Sequence, residues 1–403
     1  MATNTLLNTQ QITNELLMRF KNNLGFSKVV DHTYDDRFAV SGAKIGDTLR
    51  LRDPVRYAVT KGRVMTPQDT VETAKTLTLD TQAHVGFSFT SVERTLNIDN
   101  FADRYVESAA VALANQVDVD GLTKAYQSTA NSVGTGGTAF TTLDFAYAAG
   151  RTLDENSTPV DGKRYMVVSP RQQEATLKAA QAIFNSQTQI GNQYVKGRMG
   201  TMGGFDWIMD QNVMLHTVGP LGGSPIVTVA SQTGSTLLTS GWTAAAASRL
   251  KKGDLFTLPT VYGVNPVNGI STGQLQQFTV TADVSSDAGG LASIPIFPAI
   301  TPTGTNKTVT NSPAASAPLT IIGTANSTAT EGIAFHKNAF VLGMAPLDTP
   351  PGTDSAKATD PDTGVSIRTT TAYDILNDLF VTRCDILYGW AAPRAEWAVR
   401  IVS

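Results

Sequence analysis

The stretch Leu77-Thr78-Leu79-Asp80-Thr81-Gln82-Ala83-His84-Val85-Gly86-Phe87-Ser88-Phe89 alternates over all thirteen positions. Odd positions are apolar or small, and even positions are polar or glycine. A period of two marks a strand with one buried face, and at about 3.3 Å per residue this run would reach roughly 43 Å. Upstream, Leu49, Leu51, Val55, Tyr57 and Val59 alternate with Arg50, Arg52 and Arg56, and a polar tip, 60–74, holds Gly62 and Pro67. Strands ordinarily run about 5–6 residues. Arms this long predict a hairpin that extends beyond its own domain and needs a partner surface, which implies assembly.

On either side of the hairpin the reading is helical. Ile12, Leu16, Leu17, Phe20 and Leu24 form one stripe ahead of Gly25, a short helix in an arm (1–46) that leans on something else. After the hairpin (47–96), Ile98, Phe101, Ala102, Tyr105, Ala109, Ala112, Leu113 and Val117 trace one face, continued by Leu122, Ala125, Tyr126 and Thr129 past Gly121. Unbroken from Ile98 to Ala130, such a helix spans roughly 50 Å at about 1.5 Å per residue; it is assigned to a segment 97–140. Residues 141–218 read as α/β: a helix near 143–153, a strand at 164–168, a helix from Ser169-Pro170 to about Phe184, and a strand at 205–209. Ser169, Pro170 and Gln172 sit where a capping box and a first-turn proline belong. From 219 to 332 the basic residues are Arg249, Lys251, Lys252 and Lys307, and short Val/Thr/Leu/Phe runs alternate with Gly, Pro and Asn turns. This reads as an all-β module inserted into the preceding domain, with the chain returning through strands in 333–403. The fold class is α+β.

Composition narrows the function classes. Charged residues are 16% of the 403, below the roughly 25% of ordinary soluble domains. A weakly charged surface suits a chain that faces other protein. The net charge of −3 excludes a wholesale polyanion binder. One cysteine, Cys384, excludes an internal disulfide and a multi-cysteine metal site. Uncharged stretches are laced with Gly, Pro, Gln, Ser or Thr, so none reads as a membrane span, and no secretory signal precedes the first helix. The expected compartment of synthesis is the cytoplasm.

No residue set carries chemistry. Phosphate-loop, His-Glu-x-x-His and Gly-x-Ser-x-Gly motifs are absent. His32, His84, His216 and His336 share no ligand spacing and read as surface or interface residues. Asp35-Asp36, Asp118-x-Asp120 and 354–362 lack calcium-loop spacing and read as solvated carboxylates. Cys384 reads as inert packing in an apolar strand. The expectation is no catalytic residue, no metal and no cofactor. The residues singled out are basic: Arg50, Arg52, Arg56, Lys61 and Arg63, with Lys44 and Lys75, make the hairpin locally positive. A single-strand nucleic-acid binder would interleave aromatics, and only Tyr57 is present. Inter-subunit ion pairs on an exposed edge fit better.

The order of parts (arm, long hairpin, long helix, α/β domain, late strands) resembles the major capsid protein fold of tailed bacteriophages and herpesviruses, the Hong Kong 97 fold. The hairpin at 49–89 looks like its extended loop and 98–130 like its spine helix. Ser169-Pro170, Gly197-Arg198-Met199-Gly200 and Gly204-Phe205-Asp206-Trp207 are similar to its axial domain, and Thr382–Trp390 to its closing strand. After Val213–Val218, Leu250-Lys251-Lys252-Gly253-Asp254 resembles the start of a small barrel strand and Ile333–Phe340 the point where the chain re-enters the core, a layout similar to P-22-type coat proteins with their accessory insertion domain. The resemblance implies an icosahedral virion shell of hexamers and pentamers that encloses double-stranded DNA without sequence-specific binding. It also implies a precursor shell that matures, and a scaffolding protein, a portal and a decoration protein as partners. Two alternatives stand beside it: an encapsulin-like nanocompartment, and an α/β enzyme using Asp206 or Asp385.

Overall fold

A computed structural model of the chain describes residues 9–32, 48–52, 56–57, 61–63, 67, 74–90, 107–180, 200–360 and 363–403. The chain divides into two compact units. The first comprises Met1–Leu51, Ala74–Gly121 and Phe340–Ala391, and the second Arg52–Thr73, Leu122–Ala339 and Ala392–Ser403.

The first unit is built on an antiparallel sheet in which Val341–Met344, Leu379–Ala391, Ser366–Asp374 and Asp354–Thr359 follow one another. Strand Thr81–Thr90 pairs with Leu379–Ala391 as well, in register from Leu379↔Thr90 to Tyr388↔Thr81. The alternating run is therefore two strands. Ala74–Thr78 pairs with Thr48–Arg52 in a two-stranded sheet, and Thr81–Thr90 joins the closing strand rather than prolonging a hairpin arm. Alternation survives in the second: Ala83, Val85, Phe87 and Phe89 are half-buried, while Gln82, His84, Gly86 and Ser88 are exposed. Beside the break at Leu79-Asp80 the backbone passes so close over Gly389 that a Cβ at Gly389 would collide with the Thr78 carbonyl oxygen.

Helix α1 (Thr9–Asn23) lies against strands Asp354–Thr359 and Ser366–Asp374. Leu16 and Phe20 are fully buried, each worth about 1.5–3 kcal/mol. Lys21 Nζ sits 2.7 Å from Asp360 Oδ2, and Gln10 donates to the Lys357 carbonyl at 3.2 Å. The chain after α1 is held too: Phe26 stacks on Trp390 with centroids 5.5 Å apart, and Asp31 bridges to Val341. What reads as a leaning arm is, over 9–32, packed into this unit. Helix α2 (Glu107–Ser128) is continuous through Gly121, where the Trp390 indole occupies the space a Cβ would need. Residues 98–106 of the expected longer helix lie outside the described residues, as do most of the hairpin tip and residues 181–184 of the expected helix after Pro170.

The second unit holds a mixed sheet in the order Ser132–Gly134, Ala398–Val402, Thr328–His336, Arg164–Val168, Phe205–Met209, Thr201–Met202, with Leu215–Thr217 also on Thr328–His336. Helix α3 (Asp144–Glu155) buries Phe145, Ala146, Ala149 and Leu153 in one cluster with Met166, Val168, Phe205, Val399 and Ile401. Helix α4 (Pro170–Ala180) opens on the anticipated capping box: Gln172 N donates to Ser169 Oγ at 3.2 Å, and Ser169 N to Gln172 Oε1 at 3.1 Å. Between 226 and 322 the described elements are all strands. Six of them form an antiparallel sheet ordered 320–322, 255–264, 271–280, 292–300, 234–240, 226–227, over a core that includes Leu237, Phe256, Leu258, Phe278, Ile294 and Ile300.

Candidate assembly surface

Strand Thr48–Arg52 has the burial pattern of a one-sided strand. Leu49 and Leu51 enter a cluster with Leu77, Val341 and Ala391, which turns Arg50 and Arg52 outward. Both arginines are exposed on one face of that strand. Arg56 is half-buried, and Lys61 and Arg63 are exposed. The tip residues around them, 53–55, 58–60, 64–66 and 68–73, lie outside the described residues. The structure thus brings Arg50 and Arg52 together.

A second surface escaped the sequence reading. Strands Ser366–Asp374 and Leu379–Ala391 are joined by the loop 375–378, with Asp374 facing Leu379. At its crest Ile375 is 80% and Leu376 89% exposed. The turn beneath them is pinned. Asp374 accepts from the Leu376 amide at 3.0 Å and from Asn377 Nδ2 at 2.6 Å, while the Tyr373 hydroxyl donates to Asp378 Oδ1 at 2.9 Å. Tyr373 and Phe380 pack with centroids 4.8 Å apart. The Asn377 amide and the Leu376 N–H hold the Asp374 carboxyl below the usual carboxylate range. The result is two aliphatic side chains on a stiff knob with carboxylates at its base. An apolar pair inside a turn rich in Asp and Asn was the local signal, since turn positions ordinarily take polar residues.

The remaining candidates are structural. Asp385, considered above for the enzyme alternative, is fully buried: Arg368 binds one carboxylate oxygen and Arg383 Nε the other at 2.5 Å. Asp206 accepts from Thr201 Oγ1 at 2.5 Å. Cys384 is buried, and burial pushes its thiol up to about 11, as inert packing requires. Two expectations are corrected. His216 and His336 are not surface residues: both are buried, with Nε2 2.8 Å from Asp254 and 3.0 Å from Asp161. Asp118 is not solvated; it is buried and accepts from the Gly25 amide at 2.7 Å, the Ser27 amide at 2.8 Å and the Ser27 hydroxyl. In each case a hydrogen-bond partner distant in sequence offsets the cost of burying a polar group.

Among the described residues no group of three His, Cys, Asp or Glu is placed to hold a metal, and no helix is long and apolar enough to cross a membrane. The family described as "P22 coat protein - gene protein 5" matches residues 1–400. No curated protein matches the chain. Among solved structures it is similar to that of Mycobacterium phage Che8, at 14% identity and a TM-score of 0.47, covering 93% of this chain and 90% of that one. It is also similar to the capsid of Ralstonia phage GP4, at 10% identity and 0.45, covering 100% and 93%. The capsid structure of the cyanophage P-SCSP1u gives 12% and 0.44, covering 92% and 88%. By the family match over nearly its whole length, the chain belongs to the P22 coat protein family and is a phage major capsid protein, a structural subunit that forms shells with copies of itself.

Proposed function

We propose that copies of this chain meet through two complementary surfaces, the basic hairpin with Arg50, Arg52, Arg56, Lys61 and Arg63 and the acidic-rimmed apolar knob at Ile375-Leu376, to close an icosahedral shell of hexamers and pentamers. The family match over 1–400 carries this reading. The surfaces support it: one is positive, the other holds Asp374 and Asp378 beside exposed aliphatics. Two different patches that fit each other make a heterologous contact, the kind that propagates into rings and shells, and opposite charge steers their encounter. The shell encloses double-stranded DNA without reading its sequence, in keeping with a net charge of −3. A precursor assembles in the host cytoplasm around a scaffolding protein, incorporates a portal, and matures; decoration proteins bind outside. Within the chain, 1–46 is the arm, 47–96 the extended loop, 97–140 the spine segment, 141–218 and 333–403 the axial and peripheral parts, and 219–332 the accessory domain.

Electron microscopy of the expressed chain, alone and with a scaffolding candidate, tests the reading. Closed shells tens of nanometres across are the expected result. Monodisperse single chains under both conditions would overturn it. Shells that hold protein cargo and never DNA would favour the nanocompartment alternative.

A further inference from the structure

One cluster of charge lies sealed inside the second unit. Its centre is Arg400, which is fully buried on strand Ala398–Val402. The guanidinium finds no carboxylate within hydrogen-bond reach; it donates through Nε to the Thr129 carbonyl at 2.8 Å, through Nη1 to the Gly253 carbonyl at 2.6 Å, and through Nη2 to Thr279 Oγ1 at 2.8 Å. Two of these three acceptors belong to the β-rich segment 226–322. Glu331, on strand Thr328–His336, is 5% exposed, and its Oε2 has no hydrogen-bond partner.

The β-rich segment enters this cluster through the turn 251–254 and through Thr279 on strand Ser271–Val280. Asp254 is buried; its Oδ1 meets His216 Nε2 at 2.8 Å, and its Oδ2 accepts from the Lys251 amide at 2.8 Å and the Gly219 amide at 3.1 Å. Gly253 adopts φ +100°, and a Cβ there would come 3.1 Å from Tyr126 Cε2 and 3.3 Å from His216 Cε1. The turn is thus a close-fitting plug. It is tied back into its own sheet by Gly253 N to Val280 O at 2.8 Å and Val280 N to Asp254 O at 2.9 Å. The groups facing the cluster come from every element around it. Helix α2 contributes Tyr126, and strand Leu215–Thr217 contributes His216. The turn contributes Asp254, its Lys251 and Lys252 being exposed, strand Thr328–His336 contributes Glu331, and the last strand Arg400. Lys252 in turn interacts with Lys124 and Asp283.

We infer that Glu331, His216, Asp254 and Arg400 form a proton-operated joint that seats the turn 251–254 in the core sheet when Glu331 is neutral and loosens it when Glu331 ionises. Asp254 and Arg400 already balance each other's charge. A second buried anion would leave the site with net negative charge, repel Asp254 and compete for the guanidinium that holds the Gly253 carbonyl and Thr279. Burial raises the Glu331 carboxyl above its ordinary range, against the pull of Arg400 and His216. A group whose folded value is raised adds stability that is complete below its unfolded value and fades as pH rises through the folded one. The Glu331 titration makes the joint tight in mild acid and looser toward alkali.

Hydrogen exchange of the Gly253 and Val280 amides in the full chain between pH 5.5 and 8.5, corrected for intrinsic exchange, tests this. Protection in the wild-type chain is expected to fall by up to about tenfold per pH unit through the titration, while amides of helix α3 stay level. Glu331→Gln is expected to flatten the profile and to leave the turn better protected than wild type at pH 8.5. A flat wild-type profile, or one that Glu331→Gln leaves unchanged, would overturn the inference. So would failure of Glu331→Gln to fold, since that would show the carboxylate to be needed as an anion. The measurement concerns a single chain, so its outcome is independent of whether shells form.

Discussion

Asp118 sits on helix α2 and accepts two backbone amides and a hydroxyl from residues 91 and 93 positions earlier in the chain. Nothing near Asp118 in sequence announces those partners, so the local reading placed the side chain in solvent. The same holds for His216 with Asp254 and for His336 with Asp161, at separations of 38 and 175. Composition and periodicity report which residues prefer burial; they do not report a charged residue whose burial depends on a distant donor. Signals that are local came through. Gln172 and Ser169 satisfy each other three positions apart, and Cys384 sits in an apolar alternation and is buried as that implies. At this scale Asp118→Ala is expected to strand the Gly25 and Ser27 amides, at about 1–3 kcal/mol for each buried donor left unpaired. Limited trypsin digestion should then cut after Arg19, Lys21 and Lys28 well before the rest of the chain is cleaved. An unchanged tryptic pattern would show that the contacts of α1 with its sheet suffice without Asp118.

Among the elements, the alternating run at 77–89 points to the fold class, and its first part pairs with Thr48–Arg52 as a hairpin does, while its second part pairs with Leu379–Ala391. Alternation records that one face is buried; it does not record against what. Where the strand is interrupted, the backbone at Thr78-Leu79 passes close over Gly389 and the Leu77 and Leu79 side chains pack on Gly343, and both glycines lie more than 250 positions downstream. The loop 375–378 shows the converse case. Its apolar pair was visible in the sequence, but its meaning depended on a turn that exposes both side chains while Asp374, Asn377 and the Tyr373–Asp378 bond stiffen it. Because neither aliphatic is packed, the double substitution Ile375→Asp/Leu376→Asp is expected to leave the unfolding midpoint of the unassembled chain within about 0.5 kcal/mol of wild type. Sedimentation should nonetheless find subunits in place of closed shells. Shells of normal yield and size from this variant would remove the knob from the assembly contact.

For the molecule as a whole, low charge, a basic hairpin and a stiff apolar knob belong together. A chain that remains alone in solvent gains nothing from 16% charged residues or from Leu376 at 89% exposure. A subunit that must bury several faces against its own copies requires such surfaces, and a closed lattice of weak contacts spreads the requirement over many sites. The order of parts along 403 residues was legible because each part leaves a separate periodicity; the buried joints between parts were not, because they are made of single residues. The most direct test of the account is a cryo-electron-microscopy reconstruction of shells assembled from this chain. It predicts that Ile375 and Leu376 are buried against a neighbouring copy, and that Arg50 and Arg52 lie within ion-pair distance of a neighbour's carboxylates. Closed shells in which the knob and the basic face both remain exposed to solvent would contradict it.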